Sequence, residues 1–189
     1  MKRIAIFASG SGTNAEKIAR HFENSEAARV TLILCNNPKA GVLNRAQNLG
    51  IPVFLFNKYE LEKELRVLTV LKDQKIDLVV LAGFLLKVPD YLIKSYPNRI
   101  VNIHPALLPK FGGKGMYGQH VHEAVIAAGE THSGITVHYV NEHYDEGTIL
   151  FQASCSVDEK DNADSLAKKI HQLEHQHFPL VIQSLLENG

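Results

Sequence analysis

Cysteine is scarce. Cys35 and Cys155 are the only two, each in an apolar strand-like run, and no CxxC pair is present. A disulfide framework and a thiolate site for zinc or redox work are thereby excluded, and two isolated thiols suit a reducing cytoplasm. Net charge is lacking too: 20 Lys and Arg offset 20 Asp and Glu, and there is no basic block. Nothing electrostatic argues for nucleic acid or an anionic membrane as the main partner, although a small local pocket for one phosphate is compatible with neutrality. No apolar run approaches the ~20 residues of a membrane span. Ile4–Ala8 follows Met1-Lys2-Arg3 as in a signal peptide, but it is too short for the apolar region of one and runs at once into Gly10-Ser11-Gly12. It reads as the first strand. Repeats, low-complexity tracts and Pro/Gly/Ser-rich linkers are absent as well. With 45% apolar residues among 189, one domain over 1–189 with a real core is expected.

Histidine is abundant, with ten copies. His120-Val121-His122 and His175-Gln176-His177 are H-x-H pairs, and His171 and His175 stand i, i+4 on a helical pattern. HExxH is missing, and no three-ligand set with a carboxylate is evident, so no metal is expected.

The first half alternates strand and helix signals. Short apolar runs at Arg3–Ala8, Val30–Cys35, Pro52–Phe56 and Leu78–Ala82 are separated by helical stretches near 13–24 and 42–49 and from Tyr59 to Gln74. In the last of these Leu61, Leu65, Leu68 and Leu71 recur at helical spacing and predict one buried stripe. This rhythm predicts a parallel, doubly wound α/β sheet whose ligands bind beyond the carboxyl ends of the strands. The second half changes character. Ile100–Ile103, Gly134–Val140 and Thr148–Val157 read as strands that extend the sheet antiparallel, giving one mixed sheet with helices on both faces. His120–Ala128 and a last helix from Ala163, capped by Asp161 or Asn162, complete the pattern.

Two places carry chemistry. Strand one ends in Ser9-Gly10-Ser11-Gly12-Thr13-Asn14-Ala15, which fits GxGxxA, one form of a dinucleotide fingerprint. Glycines let backbone approach a ligand closely, and the following helix offers free N–H groups to a phosphate. The acidic residue expected after strand two is missing, because Cys35-Asn36-Asn37 stands there, and no GxxxxGK[ST] occurs. Phosphate binding and a mere capped turn both remain open on this evidence. Asn102-Ile103-His104-Pro105 is the second place. Asn102 and His104 are i and i+2, so on a strand they share a side. An amide and an imidazole aimed at one point can polarise a carbonyl and stabilise its oxyanion; a polar strand end that only satisfies backbone is the alternative. Downstream, Asp145-Glu146-Gly147 follows Thr136-Val137-His138. A carboxylate brought against His104 would favour the imidazolium, although Asp-Glu-Gly is also ordinary turn chemistry.

Gly10–Asn14, Leu81-Ala82-Gly83-Phe84, Asn102-Ile103-His104-Pro105 through Leu107-Leu108-Pro109, Gly134-Ile135-Thr136-Val137-His138 and Asp145-Glu146-Gly147 occur in this order. Together they resemble the phosphoribosylglycinamide formyltransferases of the folate-dependent formyltransferase superfamily, over nearly the whole chain. The glycine loop and Glu174-His175 narrow the resemblance to the glycinamide enzymes. It implies a Rossmann-like formyltransferase fold, with a phosphate-binding half at 1–100 and a catalytic, folate-binding half at 101–189. It also implies 10-formyltetrahydrofolate as co-substrate, 5'-phosphoribosylglycinamide as acceptor, and a monomer or weak dimer. Asn102, His104 and Asp145 would be catalytic, with Asp145 raising the His104 pKa so that a protonated His104 faces the intermediate. Gly12, Thr13 and Asn14 would hold the substrate phosphate, and His171, Gln172, Leu173 and Glu174 would contact the ribonucleotide. Leu85, Leu86, Lys87 and Val88, with Asn102 and Asn141, Glu142, His143, Tyr144 and Asp145, would embrace the folate pterin, and Lys58 would meet its glutamate tail. Two departures stand out: Leu85-Leu86-Lys87 replaces a usual methionine and arginine, and Gly112–Gly118 is an unusually glycine-rich segment that reads as a mobile lid. A tRNA formyltransferase, with its added basic RNA-binding domain, and a formyl-folate hydrolase, with an added N-terminal domain, are expected to be longer than this neutral chain. A non-enzymatic Rossmann-type nucleotide-binding module would keep the glycine loop, but it has no use for Asn102, His104 and Asp145 together.

Overall fold

The computed structural model describes residues 1–188. Seven strands form one sheet: β1 (Lys2–Ala8), β2 (Ala28–Cys35), β3 (Val53–Leu55), β4 (Leu78–Leu81), β5 (Ile100–His104), β6 (His132–Tyr139) and β7 (Ile149–Ser156). Their spatial order is β3-β2-β1-β4-β5-β6-β7, parallel through β5 and antiparallel at β6 and β7. The mixed sheet expected from the sequence is therefore present.

The period-2 side-chain alternation of β1 explains the two layers of core. Ile4, Ile6 and Ala8 face a cluster built with α1 (Thr13–His21), α2 (Val42–Asn48), α6 (Gln119–Ala127) and α7 (Ala163–Asn188). Ala5 and Phe7 face the opposite cluster with α3 (Lys58–Lys63), α4 (Arg66–Asp73) and α5 (Asp90–Ser95). Both faces of β4 are covered, and all four of its residues are buried, as its unbroken apolar run requires. Along α7, Leu166, Ile170, Glu174, Phe178 and Ile182 are all buried at i, i+4 spacing, so one stripe of the helix carries a carboxylate into the interior. Asn162 caps α7 by accepting from the Ser165 N–H at 2.9 Å, while the Ser165 hydroxyl accepts from the Asn162 N–H at 3.0 Å.

Two expectations fail. Tyr59–Gln74 is not one helix: Glu64 is extended (φ −109°, ψ 135°), α3 ends and α4 begins afresh. Leu61, Leu68 and Leu71 are buried, but Leu65, at the break, is 60% exposed and leaves the stripe. The short helix α5 had no sequence counterpart, because six residues carry too little periodicity to register.

The order β3-β2-β1-β4-β5 reverses direction between β1 and β4, so the loops leaving their carboxyl ends diverge and open a crevice. Ser9 ties the two loops together: its N–H donates to the Gly83 carbonyl at 3.0 Å and its Oγ accepts from the Leu85 N–H at 3.0 Å. The Ser9 hydroxyl in turn donates to Asn36 Oδ1 at 2.7 Å, so the residue standing where a dinucleotide site carries an acid is spent on the loop itself.

The helix break predicts unequal leucines. Leu65→Ala is expected to change stability by less than ~0.5 kcal/mol, whereas Leu61→Ala costs ~2–5 kcal/mol. Urea unfolding of the two variants measures this, and matching losses would mean that the stripe is continuous after all.

Candidate active site

The crevice is a cavity of about 330 Å³. Its walls come from the loop after β1 (Gly10–Asn14), the loop after β4 (Ala82–Val88), the end of β5, the segment Gly113–Gly118, the loop before β7 (Asn141, His143, Tyr144, Asp145) and α7 (His171 and Glu174). Asn102 and His104 lie on β5 facing it.

β5 and β6 pair antiparallel with His104 opposite Thr136 and Asn102 opposite His138, so the two polar pairs lie side by side. Thr136 fixes the exit from β5: its hydroxyl donates to the Ala106 carbonyl at 2.7 Å and accepts from the Leu108 N–H at 3.0 Å. The chain then returns through the loop after β6, which places Asp145 between two imidazoles. One carboxylate oxygen is 3.6 Å from His104 Nδ1 and the other 3.6 Å from His138 Nε2. Both separations are longer than a hydrogen bond, and the attraction is Coulombic only where an imidazole is protonated. A true hydrogen bond reaches the same carboxylate from the Gly113 N–H at 2.9 Å. Asp145 itself is in the left-handed region (φ 56°), which Asp tolerates better than most side chains. Burial works to raise its carboxyl, but His138, His104 and the Gly113 N–H together hold it below the ordinary range.

His104 does not sit above its ordinary value, as the sequence reading expected. Burial of the imidazole pushes its pKa down and outweighs the opposing pull of the Asp145 carboxylate and the Phe111 carbonyl, with the neighbouring His138 adding to the depression. The expected sign of the Asp145 contribution stands; the net sign is reversed because the ring is only 3% exposed. His104 Nε2 lies 2.8 Å from the Phe111 carbonyl oxygen, so Nε2 carries a proton and donates to it. Both ring nitrogens thus face acceptors, an arrangement that the imidazolium satisfies fully once a further negative charge appears nearby.

At the other end of the cavity Asn14 Nδ2 donates to Glu174 Oε2 at 2.9 Å. Burial pushes the Glu174 carboxyl up, against the Asn14 amide and the nearby His171. Gly12, in the left-handed region (φ 77°), starts α1, and its carbonyl accepts from the Glu16 N–H at 2.9 Å. A Cβ on Gly12 would come 2.5 Å from Val42, so this glycine is needed for packing and backbone shape and not only for approach to a ligand. Gly10 is the open position: a Cβ there meets no protein atom within 4 Å.

The cavity gathers most of the residues expected from the sequence: Gly12, Thr13, Asn14, Leu85, Leu86, Lys87, Val88, Asn102, His104, Asn141, His143, Tyr144, Asp145, His171 and Glu174. It does not gather four others. On α7 only His171 and Glu174 share a face (i, i+3); Gln172 turns to solvent, and Leu173 packs on the core. Glu142 is exposed beside the loop, and Lys58 begins α3, with its ammonium 3.5 Å from Glu62 and away from the cavity walls. Lys87 does reach the mouth, where its ammonium lies 5.8 Å from the Tyr144 ring and links the two loops. Sequence reasoning gave no role to His122 and His138, both buried in the cavity wall. For His138 the signal was there, since Thr136 and His138 repeat at the same i, i+2 spacing as Asn102 and His104. His122 is pushed down to about 4 by burial and by the charges of His171 and His104. Among the described residues no group of three or more His, Cys, Asp or Glu side chains is arranged to hold a metal ion.

Residues 2–182 match the model of the formyl transferase family. The chain is 38% identical over 191 residues to phosphoribosylglycinamide formyltransferase of Bacillus subtilis, covering 98% of this chain and 95% of that protein. It belongs to the phosphoribosylglycinamide formyltransferase family. The chloroplastic phosphoribosylglycinamide formyltransferase of Arabidopsis thaliana is 40% identical over 192 residues, and this chain spans 98% of itself but 66% of that longer relative. A crystal structure of phosphoribosylglycinamide formyltransferase from Bacillus halodurans superposes with a TM-score of 0.89 at 39% identity, covering 98% of this chain and 95% of that one. The Rossmann-like formyltransferase fold expected from the motifs is thereby established.

In Asp145→Asn the His104 pKa is expected to fall further below its ~6.5 reference, because the charge that favours imidazolium is gone while burial stays. NMR titration of the His104 ring in both proteins reads this directly. Agreement of the two values within ~0.3 units would show that the carboxylate is not coupled to the ring.

Proposed function

We propose that this chain transfers the formyl group of 10-formyltetrahydrofolate to the amine of 5'-phosphoribosylglycinamide in de novo purine synthesis. It does so as a single-domain cytoplasmic enzyme with two small-molecule substrates and no metal. The observation that carries the reading is the convergence of Asn102, His104 and Asp145 on one cavity between the glycine loop and the folate-side loops. Gly10–Asn14, His171 and Glu174 take the ribonucleotide, its phosphate resting on backbone N–H groups at the start of α1. Leu85–Val88 and Asn141, His143, Tyr144 and Asp145 take the pterin; Lys58, Glu142, Gln172 and Leu173 lie off the cavity walls. The two halves of the chain do not divide the ligands cleanly, because Leu85–Val88 belongs to the first half and His171 and Glu174 to the second.

The uncharged amine attacks the formyl carbon. A new C–N bond forms, the carbonyl oxygen becomes an alkoxide, the bond to the folate nitrogen breaks, and the amine proton passes to that nitrogen. Asn102 donates an N–H to the alkoxide. His104, held low by burial, takes up the proton that the attacking amine releases and passes it on to the leaving folate nitrogen, and Asp145 stabilises the transient imidazolium. A ring that is neutral at rest and cationic in the intermediate favours the transition state over the ground state.

Formation of formylglycinamide ribonucleotide from the two substrates tests the reading. Turnover is expected in wild type and at least ~10²-fold less in His104→Ala. A folded His104→Ala protein with more than about a tenth of wild-type turnover would remove the catalytic role.

The phosphate end has its own test. Gly10→Val adds bulk where no protein atom stands. It is expected to weaken ribonucleotide binding at least ~10-fold while leaving folate binding and thermal stability nearly unchanged. Calorimetric titration of each ligand decides, and equal weakening of both ligands would misplace the phosphate.

A further inference from the structure

We infer that His138 is a positioning residue that fixes which end of the Asn102 amide meets the formyl oxygen, an inference that rests on the formyl-transfer reading above. His138 is 2% exposed, and its Nδ1 lies 2.8 Å from the carbonyl oxygen of Tyr139. A carbonyl oxygen only accepts, so Nδ1 carries the proton, and in the neutral ring Nε2 is left with a lone pair. That lone pair lies 3.1 Å from Asn102 Nδ2, and the Asp145 carboxylate oxygen 3.6 Å from His138 Nε2 is beyond hydrogen-bond distance and has no proton to give it. The lone pair accepts one N–H of the amide and would repel the amide oxygen, so the NH₂ end is held beside His138.

An asparagine amide has two broad orientations related by a half-turn, and nothing in its own geometry chooses between them. The NH₂ group has two hydrogens. With one held by His138, the second remains for a ligand in the cavity that Asn102 lines. The reversed amide would lose the His138 bond and set oxygen against lone pair. It would also alter which end of the amide meets the developing alkoxide. His138 therefore acts on the reaction through Asn102 without touching the reacting atoms.

The arrangement is built into the sheet. Asn102 and His138 are register partners on β5 and β6. The Tyr139 carbonyl that sets the tautomer is backed by Gly147, where any Cβ would overlap that oxygen and come 3.4 Å from His138 Nδ1. Tyr139 is held there by its N–H, which donates to the Thr148 carbonyl at 2.9 Å. The glycine of Asp145-Glu146-Gly147 thus serves the His138 tautomer, as the aspartate of the same triplet serves His104.

A double-mutant cycle in the formyl-transfer assay tests the inference, using wild type, His138→Phe, Asn102→Ala and the double variant. His138→Ala runs in parallel, removing the ring without adding bulk should the phenylalanine not fold. His138 variants are expected to lose about 10²-fold in kcat, with KM for both substrates within about threefold. In the Asn102→Ala background the same substitution is expected to cost less than about twofold more, because the group it positions is absent. His138→Gln, whose amide oxygen can accept from Asn102, is expected to recover at least about tenfold of the loss. Full additivity in the cycle, or a His138→Gln variant as slow as His138→Phe, would overturn the inference and assign the loss to Asp145 or to packing. An inactive wild type would instead sink the formyl-transfer reading, so the two failures are distinguishable.

Discussion

A single carboxylate, Asp145, is buried between two imidazoles, and much of the surrounding architecture answers to that arrangement. Burying an ionised carboxylate is costly unless charge and donors compensate it. Here the Gly113 N–H supplies a hydrogen bond, and the His104 ring, 3.6 Å away, supplies positive charge when it is protonated. To deliver that N–H, the chain after β5 must fold back over Asp145. Gly112 makes this close passage possible, since a Cβ there would come 3.3 Å from the Asp145 Cβ and 2.5 Å from a Leu108 methyl group. Phe111 and Asp145 both adopt positive φ, so the conformational cost of the site is concentrated in the residues that close it.

Those compensations bear directly on His104. Were Asp145 alone in control, the ring would be charged at rest; burial instead keeps it low. In the proposed reaction the ring gains its proton as the alkoxide forms, so its charge acts on the transition state and not on the ground state. The hydrogen bond from Nε2 to the Phe111 carbonyl orients the ring in either protonation state. The same segment that closes the site therefore also sets the aim of its principal imidazole.

Much of this was legible in the sequence, and the reasons are physical. Period-2 and period-3.6 patterns report which face is buried, and they gave the parallel half, the antiparallel extension and the α7 stripe. The i, i+2 spacing of Asn102 and His104 placed them on one side of a strand. What stayed hidden depended on contacts between distant segments. Leu65 matches the stripe by spacing and leaves it because the backbone at Glu64 turns extended. The segment His171–Glu174 looked like one binding surface, but a helix turns 100° per residue and offers only two of the four side chains to one wall. Gly12 looked like a place for close approach of a ligand, and its nearest neighbour is Val42. The balance of burial against charge at His104 is likewise invisible before the ring's surroundings are known.

A chain of zero net charge poses a last question, since the proposed acceptor substrate carries a phosphate. The arginine that braces the glycine loop does not supply the answer. Arg45 donates from Nε to the Ser11 carbonyl at 2.9 Å and pairs with Glu16, so its charge is compensated within the fold. On the proposed function the attraction comes instead from oriented backbone. Gly12 turns left-handed, and α1 begins with N–H groups that have no partner one turn earlier, beside the cavity that Gly10–Asn14 lines. Binding by backbone dipoles at a fixed loop needs no long flexible cation and so freezes little side-chain entropy. It also explains why Arg45 is used as a brace: by holding the Ser11 carbonyl it fixes the loop whose amide groups face the ligand. On this account a locally anionic ligand and a globally neutral protein are compatible, because the selectivity resides in the aim of peptide N–H groups at one strand end.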